Sequence, residues 1–406
     1  MKSNYKKLGE FIEQVKVDNN DGIDRKLLGV NLDKEFIPSV ANIVGTDMES
    51  YSVIKKGQFG CKLMSVGRDK RVPISLLNDY DEAIISSAYY VFEIIDREKL
   101  LNDYLMMWLS RPESDRYLWF ISGSDVRGGI SWDDFCTLPI VVPEIDKQKE
   151  IVKEYHIIIN RIKLNEQIIQ KLEETAQSIY RQWFVDFEFP DEDGKPYKSN
   201  GGEMVWDDVL ESEIPSKWKV ICVKDFCSDM KSGGTPSRDN PDYWNSNDIP
   251  WLKTGEIGNN IVIETEEFIS HEGLKNSSAK LLPKGTVLMS MYGVNAGDIG
   301  ILRVESTTNQ ACCGMICKND SDAAFLYYQL LINQDFHSRQ SIGGAQENLS
   351  KDYIERISFL LPDNDLIDRC NLRVIVDNRE LLTREIKLLN NTLQLLLSKI
   401  TLADHA

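Results

Sequence analysis

IVKEYHIIINRIKLNEQIIQKLEETAQSIYRQW, residues 151–183, steps its apolar positions by four and three residues without a break. Ile151, Tyr155, Ile158, Ile162, Ile169, Leu172, Ala176, Ile179 and Trp183 fall on one helical face, and Asn165 is its polar member. That spacing predicts a coiled-coil helix roughly 50 Å long at 1.5 Å per residue. A seam of this length has to be covered, and a buried Asn fixes register at some cost in stability. The cover is expected from the C-terminal end, where Ile375, Leu382, Ile386, Leu389, Leu393, Leu396 and Ile400 repeat the pattern, with Arg379 on the same face. Two ordinary core helices, each packed on its own domain, are the alternative. The unbroken period over 33 residues argues for the pair.

Outward from the seam, the chain repeats itself. Ser131 and Ser350, Asp133 and Asp352, and Pro143 and Pro362 are each 219 residues apart, while Lys56-Gly57 and Lys284-Gly285 are 228 apart. A self-similarity this long implies two whole domains of one kind. In each half a strand, a loop tip and another strand (57–74 and 285–302) lead to a helix near 98–110 or 322–335. A Gly-Gly loop, a Ser that can cap a turn, and an apolar strand ending in proline complete each block. The expected fold is α/β with segregated elements (α+β). Its parts are a first domain over 1–145, a spacer helix over 146–186, a linker over 187–213, a second domain over 214–363 and a second spacer helix over 364–406.

Composition narrows the function. The 406 residues are 42% hydrophobic, enough for several cores. No apolar run approaches a membrane span, and MKSNYKKLGEF lacks an apolar stretch after its lysines, so a cytoplasmic protein is expected. The eight cysteines form no CxxC pair and the four histidines are scattered, which leaves zinc ligation nothing to build on. A net charge of −17 argues against indiscriminate nucleic-acid binding, but ten acids against two lysines between Asp186 and Glu213 account for −8 of it. A locally basic face elsewhere is therefore compatible with the total.

Among motifs, Lys231-Ser-Gly-Gly-Thr-Pro-Ser-Arg238 combines glycines, which let a backbone approach a phosphate, with the donors Lys231, Ser232, Thr235 and Arg238. A turn that merely enters a strand explains the glycines equally well. Asn240-Pro-Asp-Tyr243 is near the N-P-P-Y signature of adenine methyltransferases, but Asp replaces the second proline and no Gly-rich cofactor loop accompanies it. No P-loop, GxSxG or HExxH is present, so no catalytic residue and no metal ligand is assigned. Basic, amide and phenol side chains do collect at loop tips. These are Arg68, Lys70, Arg71 and Arg127 in the first half and Tyr292, Asn295 and Gln346 in the second, residue types suited to phosphates and major-groove base edges. Solvated charged loops would look the same.

The run Ala176-Gln-Ser-Ile-Tyr-Arg-Gln-Trp-Phe-Val-Asp-Phe-Glu-Phe-Pro190, followed by Asp193-Gly-Lys-Pro-Tyr-Lys-Ser-Asn-Gly-Gly-Glu-Met204 and Ile214-Pro-Ser-Lys-Trp218, resembles the centre of specificity subunits of type I restriction-modification systems. SGGTPSRDNPDYW (232–244), DIPWL (248–252) and Thr308-Asn-Gln310 resemble segments of their target-recognition domains. The first half has VKVDNN (15–20) where an SGGTP would stand. The resemblance implies two target-recognition domains, each reading half of a split double-stranded DNA site, with antiparallel helices as a ruler. It also implies two methyltransferase subunits and restriction subunits as partners, with S-adenosylmethionine, ATP and magnesium on those subunits and no cofactor in this chain. Candidate DNA contacts are then Lys62, Arg68, Lys70, Arg71 and Arg127, with Lys231, Ser232, Thr235, Arg238, Lys253, Tyr292, Asn295 and Gln346. Candidate seam and partner contacts are Ile158, Ile162, Asn165, Ile169, Leu172, Ile179 and Trp183, with Leu382, Ile386, Leu389, Leu393 and Leu396. A coiled-coil scaffold that binds no DNA and a stand-alone adenine methyltransferase are the competing functions.

Overall fold

The structure is a computed structural model that describes residues 5–21, 23–39, 48–123, 128–208, 210–258, 261–340 and 348–399. The chain divides into two compact units, Met1–Arg161 with Leu389–Ala406, and Ile162–Leu388. These boundaries cut both long helices, so each unit owns one sheet-rich domain and a segment of each helix. That differs from the division at 145, 186, 213 and 363 drawn from sequence.

In the first unit, Ile12–Val15, Tyr90–Ile94, Phe59–Cys61 and Ile74–Leu76 form an antiparallel sheet in that spatial order. A second sheet orders Phe36–Pro38, Leu27–Val30, Glu82–Ile85 and Ser52–Lys55, with Leu27 parallel to Ile84. Phe59 and Phe92 stack at 4.9 Å in a core that Tyr104, Trp108 and Phe135 fill. Ile151, Val152, Leu393 and Leu397 of the long helices join that core.

The second unit repeats the plan. Asp229–Ser232, Cys312–Ile316, Val287–Ser290 and Ile299–Leu302 take the same spatial order, and Ile261–Val262 is added at the edge. Glu267–Ile269, Ile249–Leu252 and Thr307–Thr308 form the smaller sheet, again with one parallel pair, Trp251 to Thr307. The equivalence extends to single hydrogen bonds. Ile130 N donates to Leu63 O (3.1 Å) as Leu349 N does to Met291 O (2.7 Å), and Lys7 faces Pro139 as Cys222 faces Ser358. Ser131 and Ser350 each cap a short helix, accepting from the backbone N–H groups of Asp134 and Tyr353. Gly57 and Gly285 both have a left-handed backbone (φ +85° and +89°), which is why each Lys-Gly pair can turn into its strand.

The helix Ile145–Tyr180 runs 36 residues and closes with a π-type turn at Arg181–Val185. Its partner is Leu372–Lys399, which begins later than the expected 364 because Asn371 adopts φ +59° and separates it from the short helix Asn364–Arg369. In the second unit Ile162 and Ala176 of one helix and Ile375 of the other are buried, while Ile169, Leu172, Ile179, Trp183, Leu382 and Ile386 are half-buried. In the first unit Leu393 is buried, and Ile158, Leu389 and Leu396 are half-buried. Arg379, which breaks the apolar pattern, is buried and forms an ion pair with Glu173 of the facing helix. Asn165 has no exposure at all, and neither atom of its amide has a hydrogen-bond partner.

The segment 187–213, expected to be a linker, is packed in the second unit. Phe189 stacks on Tyr197 (4.5 Å) and Trp218 (5.3 Å), Phe187 is buried, and Met204–Asp207 pairs with Ser212–Pro215 as a hairpin. Its aromatic residues find partners in one another and at the domain entrance, which outweighs the loop-forming composition.

Candidate nucleic-acid interface

The three family-like segments of the second domain meet in one knot. Gly234 N donates to Thr308 O (2.8 Å), Asn309 N to Leu252 O (3.1 Å), Trp251 Nε1 to Gly234 O (3.0 Å) and Thr235 Oγ1 to Gln310 Oε1 (2.6 Å). The glycines serve this packing. A Cβ at Gly233 would lie 2.1 Å from Asn309 O, and one at Gly234 would lie 2.3 Å from Ser278 Oγ. The backbone approach they permit is to the protein's own chain, so the phosphate-cradle reading of SGGTP gives way to the strand-entry one.

Arg238 lies over the Trp244 and Trp251 rings, 3.5 and 4.9 Å from their centres, and donates to Glu267 at 2.5 Å. Lys253 pairs with Glu266 (2.7 Å) and Glu267 (3.3 Å). Arg238, aided by Lys253, holds the Glu267 carboxyl below the usual range against its burial. Lys231 lies 3.5 Å from Asp229, and Ser232 pairs through its backbone with Cys313. All three cations proposed from this domain, Lys231, Arg238 and Lys253, therefore already face carboxylates. Tyr292 is exposed and Asn295 half-buried on the turn Gly293–Asn295, beside the bridge from Tyr292 to Asn348.

The first domain presents another chemistry. Arg68 pairs with its neighbour Asp69 (2.7 Å), Arg71 reaches Asp33 only at 3.8 Å, and Lys62 and Lys70 lie over the rings of Tyr89 and Trp119. Two open clefts flank these cations. One, of about 700 Å³, is lined by Gln14, Lys16, Met64, Tyr89, Tyr90 and Gly129. The other, of about 420 Å³, is lined by Lys34, Lys70, Arg71 and Arg116. Burial pushes the Lys34 ammonium below its usual range, opposed by Asp115 at 2.9 Å. Lys16, Lys34, Tyr89, Tyr90 and Arg116 come to these clefts from separate segments, and no local spacing signals them. Arg127 and Gln346 lie outside the described residues.

Among the described residues no group of three His, Cys, Asp or Glu side chains is placed to hold a metal ion. Cys61, Cys312 and Cys313 are buried, and burial raises their thiols.

One frame used twice, with different side chains at equivalent loop tips, defines a duplicated recognition protein. The chain belongs to the type I restriction modification DNA specificity domain family, whose model matches residues 64–174 and 215–368. It is similar to the specificity subunit of the type I restriction enzyme HindI of Haemophilus influenzae, 24% identical over 382 residues that cover 81% of this chain and 82% of that one. The EcoR124I/EcoR124II specificity subunit of Escherichia coli is 22% identical over 317 residues, covering 76% and 70%. The crystal structure of a type I restriction-modification S subunit from M. genitalium has the same fold, with a TM-score of 0.60 at 13% identity over 98% of this chain and 95% of that one. The expectation of a specificity subunit, drawn from the central segment and the SGGTP region, is met.

Proposed function

We propose that each domain reads one half of a split DNA site while the two long helices set the spacing and receive two methyltransferase subunits, which restriction subunits then join. The observation that carries this reading is the conserved hydrogen-bonded frame under unlike tips, cationic in the first domain and uncharged in the second. A reader of two different half-sites needs that combination, and a plain scaffold does not. Lys62, Lys70 and Arg71 are placed as phosphate or guanine contacts in the first domain, and Tyr292 and Asn295 as base contacts in the second. Arg238 and Lys253, held by Glu267 and Glu266, position the loop that bears them.

The docking role is supported by a second heptad stripe. Val374, Leu381 and Leu388 recur every seven residues on the second long helix and are 51%, 65% and 65% exposed, and Leu395 continues the spacing. The seam residues are buried or half-buried and this stripe is exposed, which suits it to an amphipathic helix from another subunit. S-adenosylmethionine, ATP and magnesium belong to the partner subunits in this reading, and the complex works in the cytoplasm. No helix among the described residues is long and apolar enough to cross a membrane.

The test maps modified adenines across the genome in cells carrying this gene with its partner subunits, and again after its deletion. Loss of methylation at a split motif on deletion is expected. Unchanged methylation, together with unaltered DNA binding after charge reversal at Arg68, Lys70 and Arg71, would leave the scaffold reading in its place.

A further inference from the structure

Val294 is 96% exposed at the crest of a turn that is held from both sides. Ala296 N donates to Gly293 O, Gly297 N to Ser290 O and Asp298 N to Asn295 O, each at 2.9 Å. Behind the crest, a Cβ at Gly297 would lie 2.3 Å from Ser338 Oγ, so the turn rests directly on the helix Gln334–Gln340. The residue in the same register of the first domain, Val66, is fully buried. A branched apolar side chain held out into water by a fixed turn adds nothing to the core and is open to contact by a ligand that covers it.

The crest also lacks the chemistry of a phosphate contact. Between Met291 and Leu302 the charged residue is Asp298, which is set back from the crest and accepts from Gln334 Nε2 at 3.1 Å. Counterion release cannot drive binding at such a tip. Its chemistry suits base edges: an aliphatic group meets the C5-methyl of thymine in the major groove, and a neighbouring Asn amide matches adenine N6 and N7.

We propose that Val294 is a specificity-determining contact of the second domain that reads the C5-methyl group of a thymine in its half-site. This rests on the reading of that domain as a DNA-recognition module. The test assembles the full chain with its methyltransferase subunits and measures binding to duplexes carrying the split site. Each thymine of the second half-site is replaced in turn by uracil, which removes only the methyl group. One such replacement should weaken binding by the wild-type complex about fourfold, the value of one buried methyl. The same replacement should leave Val294→Ala indifferent, while thermal unfolding of that variant matches wild type. Wild-type binding that is unchanged by every uracil overturns the proposal, as does a uracil penalty of equal size in Val294→Ala, and in both cases the domain remains a DNA reader. A wild-type complex with no preference for any sequence overturns the DNA-reading function and this proposal together.

Discussion

Val66 and Val294 stand in the same register of two domains built on one hydrogen-bonded frame, yet one is fully buried and the other is 96% exposed. The connection after Cys61 is long enough for a helical turn, Val66–Asp69, that tucks its first residue under the domain and sends Arg68, Lys70 and Arg71 outward. The connection after Ser290 is shorter and closes as the tight turn Gly293–Asn295, which has no interior to offer. The frame is thus insensitive to what its tips carry, and this lets one architecture serve two different recognition tasks.

The domains also grip the long helices differently. In the second, Glu380 is 7% exposed and accepts from Arg303 (2.6 Å), Arg384 (3.0 Å) and Lys284 (3.2 Å). In the first, the fully buried Gln148 is a neutral hub that donates to Lys99 O (2.7 Å) and Pro143 O (2.8 Å) and accepts from Leu101 N (3.0 Å). Ile367 occupies the register of Gln148 in the second half.

The largest effect is expected from breaking the ionic grip. Glu380→Gln leaves the buried Arg303 with Asp377 as its remaining counter-charge and should cost about 3 kcal/mol, read as a lower unfolding midpoint. Burial opposes the charge on Glu380, but Arg303, Arg384 and Lys284 outweigh it and hold the carboxyl below its usual range. Its contribution is therefore present above the unfolded-state pKa of about 4.3 and is lost as pH falls through the lower folded value. Gln148→Leu should cost about 1–3 kcal/mol with no such acid dependence. Equal pH profiles for the two variants would dissolve the distinction.

The knot comes next. Gly234→Ala forces a Cβ to within 2.5 Å of Ala279 N and should cost about 1–3 kcal/mol. Val17→Ala, in the corresponding segment of the first domain, where the side chain is 44% exposed, should stay within about 0.5 kcal/mol. Thermal unfolding of the two variants decides whether SGGTP is a packing device special to the second half. Asn165→Leu acts in the opposite direction. Removing an unpaired buried amide from the seam should stabilise the protein by about 1–2 kcal/mol, and a fall in the unfolding midpoint would show that the amide is satisfied in solution.

The smallest effect separates the two tips. Arg71→Ala should lower the slope of log K against log salt by up to about 0.9, the value of one phosphate contact. Tyr292→Ala should leave that slope unchanged while weakening binding. A slope change of the same size for both would erase the contrast between a charged and an uncharged reading tip.

Much of this was legible in the residues. The landmarks 219 apart, the heptads and the capping serines are local or periodic patterns, and they appear in the structure as matched ladders, paired helices and N-caps. The aromatic packing of 187–218 was hidden by composition, because Pro, Gly and acids suggest a loop until Phe189 meets Trp218. The candidate site was half legible. Arg238 and Lys253 are cations in a suggestive place, but their partners Glu266 and Glu267 arrive on a different strand, and Lys34 and Arg116 join Arg71 only through folding.

The sequence by itself determined the duplication, the helical spacer and the class of protein, since periodicity and repetition depend only on the order of residues. Tertiary structure decided which cations are already neutralised, why two glycines are needed, and that one valine of an equivalent pair stands in water. Those outcomes depend on distances between segments far apart in the chain, where a shift of an ångström turns an ion pair into a free charge or a core residue into an exposed tip.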